Sequence, residues 1–205
     1  MIKDSTVNEL SPKIPAIHAT GLSKIYSEGL VFKKRFQALN DVSFQVNQGE
    51  IFGLLGPNGA GKTTFIKILL GIIRKSAGSA ELLGLNAGSR SARRLVGYLP
   101  EHLRIPPHLT GFSALECYGN LSNVPTSEIR KKQERVIEMV GLTGRATDRC
   151  RKYSKGMLQK LGLAQALLHN PKLLIFKQEV RFTQKHIHVM QCHGIYFCQE
   201  CVNAM

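Results

Sequence analysis

A glycine-rich segment between two apolar stretches constrains this chain more than any other feature. Residues 56–64 read GPNGAGKTT, which matches the pattern G-x-x-x-x-G-K-[ST]. The run at 50–55 is typical of a buried strand, and residues 62–75 carry apolar side chains at helical spacing. Glycines let successive backbone N–H groups turn towards an anion, and the following helix directs its positive dipole end at the same place. The segment predicts a cradle for the phosphates of a nucleoside triphosphate.

The residues of this cradle have roles that their chemistry suggests. Lys62 reaches the β- and γ-phosphates, and the Thr63 hydroxyl is a predicted ligand of Mg²⁺. The predicted phosphate-binding set is Gly56, Pro57, Asn58, Gly59, Ala60, Gly61, Lys62, Thr63 and Thr64.

The order of the elements predicts an α/β fold. Residues 17–46 alternate and are broken by turns, which predicts short, mostly antiparallel strands. Strand, glycine turn, helix, strand, helix and strand then follow up to residue 176, an order typical of a doubly wound sheet. Residues 102–152 have no strand signal, and an inserted helical subdomain is predicted over about 102–155, with Thr110 and Thr126 as candidate N-caps. Residues 1–16 are expected to be a lead-in.

Composition and charge disfavour several classes of protein. With 205 residues, of which 43% are hydrophobic and 20% charged, the chain suits one globular domain. No apolar run reaches the roughly 18 residues of a membrane span, and no signal peptide is expected, so the predicted location is the cytosol. Lys and Arg number 28 against 14 acidic residues, but the basic runs lack interleaved aromatics. No nucleic acid partner is therefore expected, and anionic lipid is a milder explanation of the charge.

Several motifs, taken in order, resemble the ATP-binding subunits of ABC transporters. Residues 38–44 (ALNDVSF) and 49–51 (GEI) are similar to the family's approach to the phosphate loop. Residues 153–157 (YSKGM) resemble a variant of the LSGGQ signature, and YLPE before them resembles the branch that serves ABC-2 type exporters. The resemblance covers residues 17–176. It implies a P-loop NTPase fold with an antiparallel β subdomain and an inserted helical subdomain, of which the C-terminal part is missing.

The resemblance also implies further site residues. Tyr26 would stack on adenine, which needs only an aromatic face, and Glu101, at the Q-loop position, would touch Mg²⁺. Ser154 and Gly156 would contact the γ-phosphate of ATP on a partner subunit. The implied cofactors are ATP and Mg²⁺. The implied partners are a second ATP-binding subunit, in a homodimer or heterodimer, and a transmembrane permease at the cytoplasmic face of the cell membrane. A strand-end tyrosine and a helix N-cap are simpler explanations of Tyr26 and Ser154.

The resemblance ends at Phe176. The family has Asp-Glu-Pro next, where the Asp helps to hold Mg²⁺ and the Glu activates water, whereas this sequence has Lys177, Gln178 and Glu179. No catalytic residue is therefore assigned, and we expect weak or no ATP hydrolysis. Residues 177–205 are predicted to be an unrelated, unstructured tail that leaves an apolar sheet edge uncovered. The abrupt change favours a broken reading frame over a degenerate subunit.

The tail contains residue types that bind zinc. One C-x-x-C with scattered histidines favours an unstructured segment over a zinc site; the residues are His186, His188, Cys192, His193, Cys198 and Cys201. Two other functions stay open for the chain. One is a non-catalytic, ATP-dependent interaction or regulatory protein, and the other is a soluble ABC-type ATPase acting on nucleic acid or ribosomes.

Overall fold

The computed structural model describes residues 14–28, 34–177 and 195–198, which form two sheets and a helical region. The strands are β1 (Ile17–Glu28), β2 (Lys34–Val46), β3 (Ile51–Gly53), β4 (Ala77–Leu82), β5 (Leu85–Asn86), β6 (Val96–Leu99), β7 (Leu173–Phe176) and β8 (Ile195–Cys198). The helices are α1 (Lys62–Leu69), α2 (Arg90–Arg94), α3 (Gly111–Leu121), α4 (Thr126–Met139) and α5 (Lys155–Leu167), with short 3-10 turns at Thr143–Arg145 and Cys150–Lys152. No helix among these described residues has the length and apolarity to cross a membrane.

The first sheet is antiparallel, with strand order β2-β1-β4-β5. In β1, Ile17, Ala19 and Leu22 are buried while His18 and Thr20 are exposed, which is the alternation of a strand with one covered face. The prediction of antiparallel strands over residues 17–46 is confirmed.

The second sheet is parallel, with order β3-β8-β7-β6. All four residues of β7 are buried, as expected for a parallel strand covered on both faces. Leu173 and Ile175 pack with α1 and the first sheet, whereas Leu174 and Phe176 pack with the helical region. Because the strands are parallel, the loops that follow β3, β6 and β7 lie at the same end of the sheet, where the carboxyl ends of the strands meet.

Strand β8 differs from the prediction of an unstructured tail. Ile195–Cys198 lies between β3 and β7 and is parallel to both, so a segment beyond residue 176 borders these two strands. The physical reason is local: its sequence, IYFC, is rich in residues that favour strands, and pairing satisfies backbone groups that an open edge would leave exposed. The rest of the tail lies outside the described residues, as do all of its zinc-type residues except Cys198.

Helix boundaries follow the local capping signals, with two differences from the prediction. Thr110 caps α3 in a reciprocal capping box with Ser113, as predicted. Thr126, by contrast, is the first residue of α4, and Pro125 is its N-cap. Helix α1 ends at Leu69 rather than near residue 75, because Gly71, at φ 70°, closes it. The Gly71 N–H donates to the Ile68 carbonyl at 2.9 Å, and the Ile72 N–H donates to the Lys67 carbonyl at 2.8 Å.

Candidate functional site

The glycine-rich segment joins the end of β3 to the start of α1. Gly61 is the N-cap of α1 at φ 84°, in the left-handed region that favours glycine. A Cβ on Gly61 would lie 2.2 Å from the Ala38 carbonyl oxygen of β2, so the loop is seated against the antiparallel sheet. The first turn of α1 contains no acidic residue, which leaves the positive end of the helix dipole available to an anion.

The Lys62 side chain, at the end of this segment, contacts the backbone at its start. Its Nζ donates to the carbonyl oxygen of Gly56, and to that of Pro57 at 2.9 Å. The ammonium group therefore lies beside the backbone of the loop and not out in solvent. The other predicted phosphate-binding residues are at the same place: Asn58, Gly59 and Ala60 are exposed, and Thr63 and Thr64 are partly buried in the first turn of α1.

Tyr26 lies on β1, next to the strand that the loop contacts. Its register partner on β2 is Phe36, and its neighbour Lys24 pairs with Leu39, the residue after Ala38. The Lys24 ammonium lies 4.9 Å from the centroid of the Tyr26 ring, a cation–π contact on one face of the ring.

Glu101 forms an ion pair that the sequence analysis missed. Its Oε2 lies 3.1 Å from Lys177 Nζ, and its Oε1 lies 3.7 Å from His102 Nε2. Strand register explains the pair: Leu99 and Phe176 are partners in β6 and β7, and the Lys177 N–H donates to the Leu99 carbonyl at 3.1 Å. The only sequence signal was that both residues closely follow predicted strands.

Charges around Glu101 stabilise its ionised form. The hydrogen bond and the positive charge from Lys177 lower the pKa of the Glu101 carboxyl, and His102 and Lys155 act in the same direction at longer range. Lys155 belongs to the YSKGM segment, so this segment and Glu101 are within electrostatic reach of each other in one chain.

The YSKGM segment begins α5. Ser154 is the helix N-cap, because its Oγ accepts a hydrogen bond from the Met157 N–H at 3.3 Å. The prediction that Ser154 caps this helix is confirmed. Ser154 and Gly156 are exposed. Tyr153 is only 8% exposed, and its hydroxyl donates to the Arg145 carbonyl at 2.8 Å, an anchor that the sequence analysis did not find. No hydrogen bond or ion pair described for residues 14–28 or 34–177 joins Ser154 or Gly156 to the phosphate loop.

The predicted Mg²⁺ ligands do not fit a divalent cation well. Thr63 offers one hydroxyl, but the Glu101 carboxylate is already paired with an ammonium group, and Lys177 stands where a second acidic ligand would be needed. Hard divalent cations require several oxygen ligands of negative or neutral charge. Among the residues that the structure describes, no three His, Cys, Asp or Glu side chains come together as a metal site.

A parallel sheet that carries a glycine-rich, lysine-ended loop before a helix defines a P-loop NTPase fold. Within this class, residues 39–177 match the family model described as ABC transporter. An uncharacterized ABC transporter ATP-binding protein of Synechocystis sp. is 41% identical over 83% of this chain and 49% of its own length. The Nod factor export ATP-binding protein I of Ralstonia nicotianae is 34% identical over 80% of this chain and 50% of its own length.

A solved structure of an ATP binding subunit of an ABC transporter matches with a TM-score of 0.71 and 25% identity, over 91% of this chain and 80% of that chain. The chain therefore belongs to the ABC transporter family of ATP-binding proteins. It spans about half the length of the curated relatives that it matches.

Proposed function

We propose that this chain binds ATP in the loop at residues 56–64, and that it acts as the ATP-binding part of an ABC exporter without appreciable hydrolysis of its own. The observation that carries the proposal is the position of Lys62, whose ammonium contacts the Gly56 and Pro57 carbonyls within an exposed glycine-rich loop. A phosphate chain bound there would meet a positive charge, a helix N-terminus and backbone donors at once.

The proposed adenine contact rests on Tyr26. Tyr26 lies on β1, which pairs with β2, the strand against which the phosphate loop is seated. Lys24 contacts one face of the Tyr26 ring. Stacking on an aromatic ring contributes about 1–3 kcal/mol per base. Tyr26 would then supply part of the affinity for ATP and none of the affinity for a bare phosphate chain.

The lack of hydrolysis is proposed from the two residues that follow β7. Lys177 takes the place of the family's carboxylate that helps to hold Mg²⁺, and its ammonium group is paired with Glu101. Activation of a water molecule needs a carboxylate or another base within hydrogen-bond reach, and at the position of the family's water-activating Glu this chain has Gln178. An amide group cannot accept a proton from water. The chain would therefore hold ATP without supplying the base for its cleavage.

The proposed partners are a second ATP-binding subunit and a transmembrane permease at the cytoplasmic face of the membrane. Ser154 and Gly156 are exposed at the N-terminus of α5, where a second subunit could present its nucleotide to them. The relative from Ralstonia nicotianae is named for Nod factor export, which favours export as the direction of transport.

Equilibrium dialysis with labelled ATP tests the binding proposal. Lys62→Ala removes a charged donor, and we expect affinity to fall about tenfold to a hundredfold. Lys67→Ala is the matched control, because it changes an exposed lysine of the same helix and should leave affinity unchanged. Tyr26→Ala should weaken ATP binding about tenfold but leave tripolyphosphate binding unchanged. Equal losses at Lys62 and Lys67 would contradict the proposal.

Phosphate release tests the proposed lack of hydrolysis. The wild-type chain should release phosphate from ATP no faster than Lys62→Ala, because both lack a working site. Release by the wild type that depends on Lys62 would show a catalytic base that the proposal does not include.

A second candidate, an ATP-dependent interaction protein, is favoured by the exposure of Ser154 and Gly156. Such a chain would bind an intact family member and complete that subunit's nucleotide site while leaving its own inactive. We expect ATP-dependent co-purification with an intact subunit and loss of it in Gly156→Trp. Gly144→Trp is the control, since Gly144 is also exposed with open space around it. Co-purification that does not require ATP would count against this function.

A further inference from the structure

We propose that the Lys177 ammonium group takes the place of a divalent cation in this site, so that the nucleotide binds in its metal-free form. The inference rests on the proposed ATP binding and concerns the ionic form of the ligand. It starts from the disagreement between the predicted Mg²⁺ ligands and the side chains that the structure brings together.

The Lys177–Glu101 pair is fixed by the sheet. The Lys177 N–H donates to the Leu99 carbonyl, so the start of the segment after β7 is held against the end of β6. Glu101 follows two residues after Leu99, and its carboxylate lies 3.1 Å from the Lys177 ammonium. The Lys177 side chain is 23% exposed, less than Glu101 at 44%, so the lysine is the more enclosed partner.

This pair lies at the same end of the sheet as the phosphate loop, at the carboxyl ends of the strands. The loop follows β3, and Lys177 follows β7, two strands away in the order β3-β8-β7-β6. Two strand spacings amount to about 10 Å, which a lysine side chain and a phosphate chain can span together. In the proposal, Lys62 and Lys177 act on the phosphates from two sides, while Lys177 stays paired with Glu101 beyond the end of β6.

Charge opposes a divalent cation at this place. A metal ion at Glu101 would have to displace the ammonium group and then remain within a few ångströms of it, where like charges repel. Lys155 also acts on Glu101 with positive charge. In the metal-free form, the phosphates keep their full negative charge and pair with the lysines directly.

Isothermal titration calorimetry with ATP, in excess MgCl₂ and in excess EDTA at the same ionic strength, tests the proposal. For the wild type we expect binding in EDTA to be at least about tenfold tighter than in MgCl₂, because excess Mg²⁺ in solution leaves little metal-free ATP. Equal affinity in the two buffers, or weaker binding in EDTA, would overturn the proposal while leaving the proposed ATP binding intact. No binding in either buffer would overturn both.

Two variants assign the effect to Lys177. Lys177→Asp replaces the cation with a metal ligand, and its affinity in EDTA should be at least about tenfold weaker than in MgCl₂. The matched control is Lys172→Asp, which makes the same change of charge at an exposed residue. Lys172 precedes β7 and so lies at the other end of the sheet, at the amino ends of the strands. The binding of this control variant should be tighter in EDTA than in MgCl₂, as in the wild type.

Lys177→Met covers the case in which the aspartate prevents folding, because it removes the charge and keeps the length. In EDTA it should bind ATP about tenfold more weakly than the wild type. A folded Lys177→Met or Lys177→Asp protein that keeps the wild-type affinity in each buffer would overturn the role given to Lys177.

Discussion

Two glycines of the phosphate loop have nearly the same φ but different surroundings. Gly59 has φ +86° and Gly61 has φ +84°. A Cβ on Gly59 meets no atom within 4 Å, whereas a Cβ on Gly61 would lie 2.2 Å from the Ala38 carbonyl oxygen and 2.7 Å from Leu39 Cδ2. Alanine substitution at each position therefore separates backbone strain from steric exclusion.

The expected losses of stability follow from these distances. Alanine in the left-handed region costs about 1–2 kcal/mol at either position, so this contribution cancels in the comparison. At Gly61 the methyl group also collides with the backbone of β2, which cannot rotate away as a side chain can. Overpacking of this kind costs about 1–3 kcal/mol more. We expect Gly61→Ala to lose about 2–5 kcal/mol in total, and Gly59→Ala only about 1–2 kcal/mol.

Urea denaturation followed by circular dichroism measures the difference. For an m-value of about 2 kcal/mol per molar, a difference of about 2 kcal/mol separates the two midpoints by about 1 M. Equal midpoints for the two variants would refute the reasoning, because they would show that the loop is not seated against β2. A lower midpoint for Gly59→Ala than for Gly61→Ala would refute it more strongly.

Three further predictions use the same denaturation measurement. Phe65→Ala should cost about 3–5 kcal/mol because the ring is 2% exposed, whereas Leu121→Ala, at a side chain 74% exposed, should cost less than about 0.5 kcal/mol. Tyr153→Phe should cost about 1 kcal/mol, because it removes the hydrogen bond to the Arg145 carbonyl; an unchanged midpoint would show that water replaces that bond. Burial lowers the pKa of His169 in the folded protein, so the unfolded chain binds a proton first as the pH falls below about 6.5, and stability decreases there. His169→Gln should lose less stability than the wild type between about pH 7 and pH 5.5, and an equal loss would contradict this.

Sequence reasoning worked best where the signal is local. The loop at residues 56–64 carries its own glycines and lysine, so its place between β3 and α1 could be predicted from the pattern alone. The N-caps Thr110 and Ser154 could be predicted for the same reason, because each cap depends on a side chain and on the backbone N–H three residues later. The end of α1 differs from the prediction although its signal is also local: Gly71 closes the helix, and the apolar Ile72 and Ile73 at helical spacing extended the predicted helix past it.

Contacts between distant segments could not be predicted in the same way. Glu101 and Lys177 are both recognisable as residues that follow strands, but their contact requires that β6 and β7 be neighbours in register. Strand β8 shows a different failure: the apolar sequence IYFC predicts a strand by itself, and the unusual composition of residues 177–205 outweighed it. Composition describes a whole segment and cannot exclude four ordered residues inside it.

The geometry at the ends of β6 and β7 constrains which charges can coexist there. The backbone bond from Lys177 to Leu99 does not depend on the side chain at position 177, so any residue there begins beside the segment that carries Glu101. A carboxylate at that position would place two negative charges close together, and a divalent cation between them would relieve the repulsion. A lysine satisfies the same carboxylate without a metal ion. One side chain at the end of β7 therefore determines whether this site favours or opposes a divalent cation, while the fold around it stays the same.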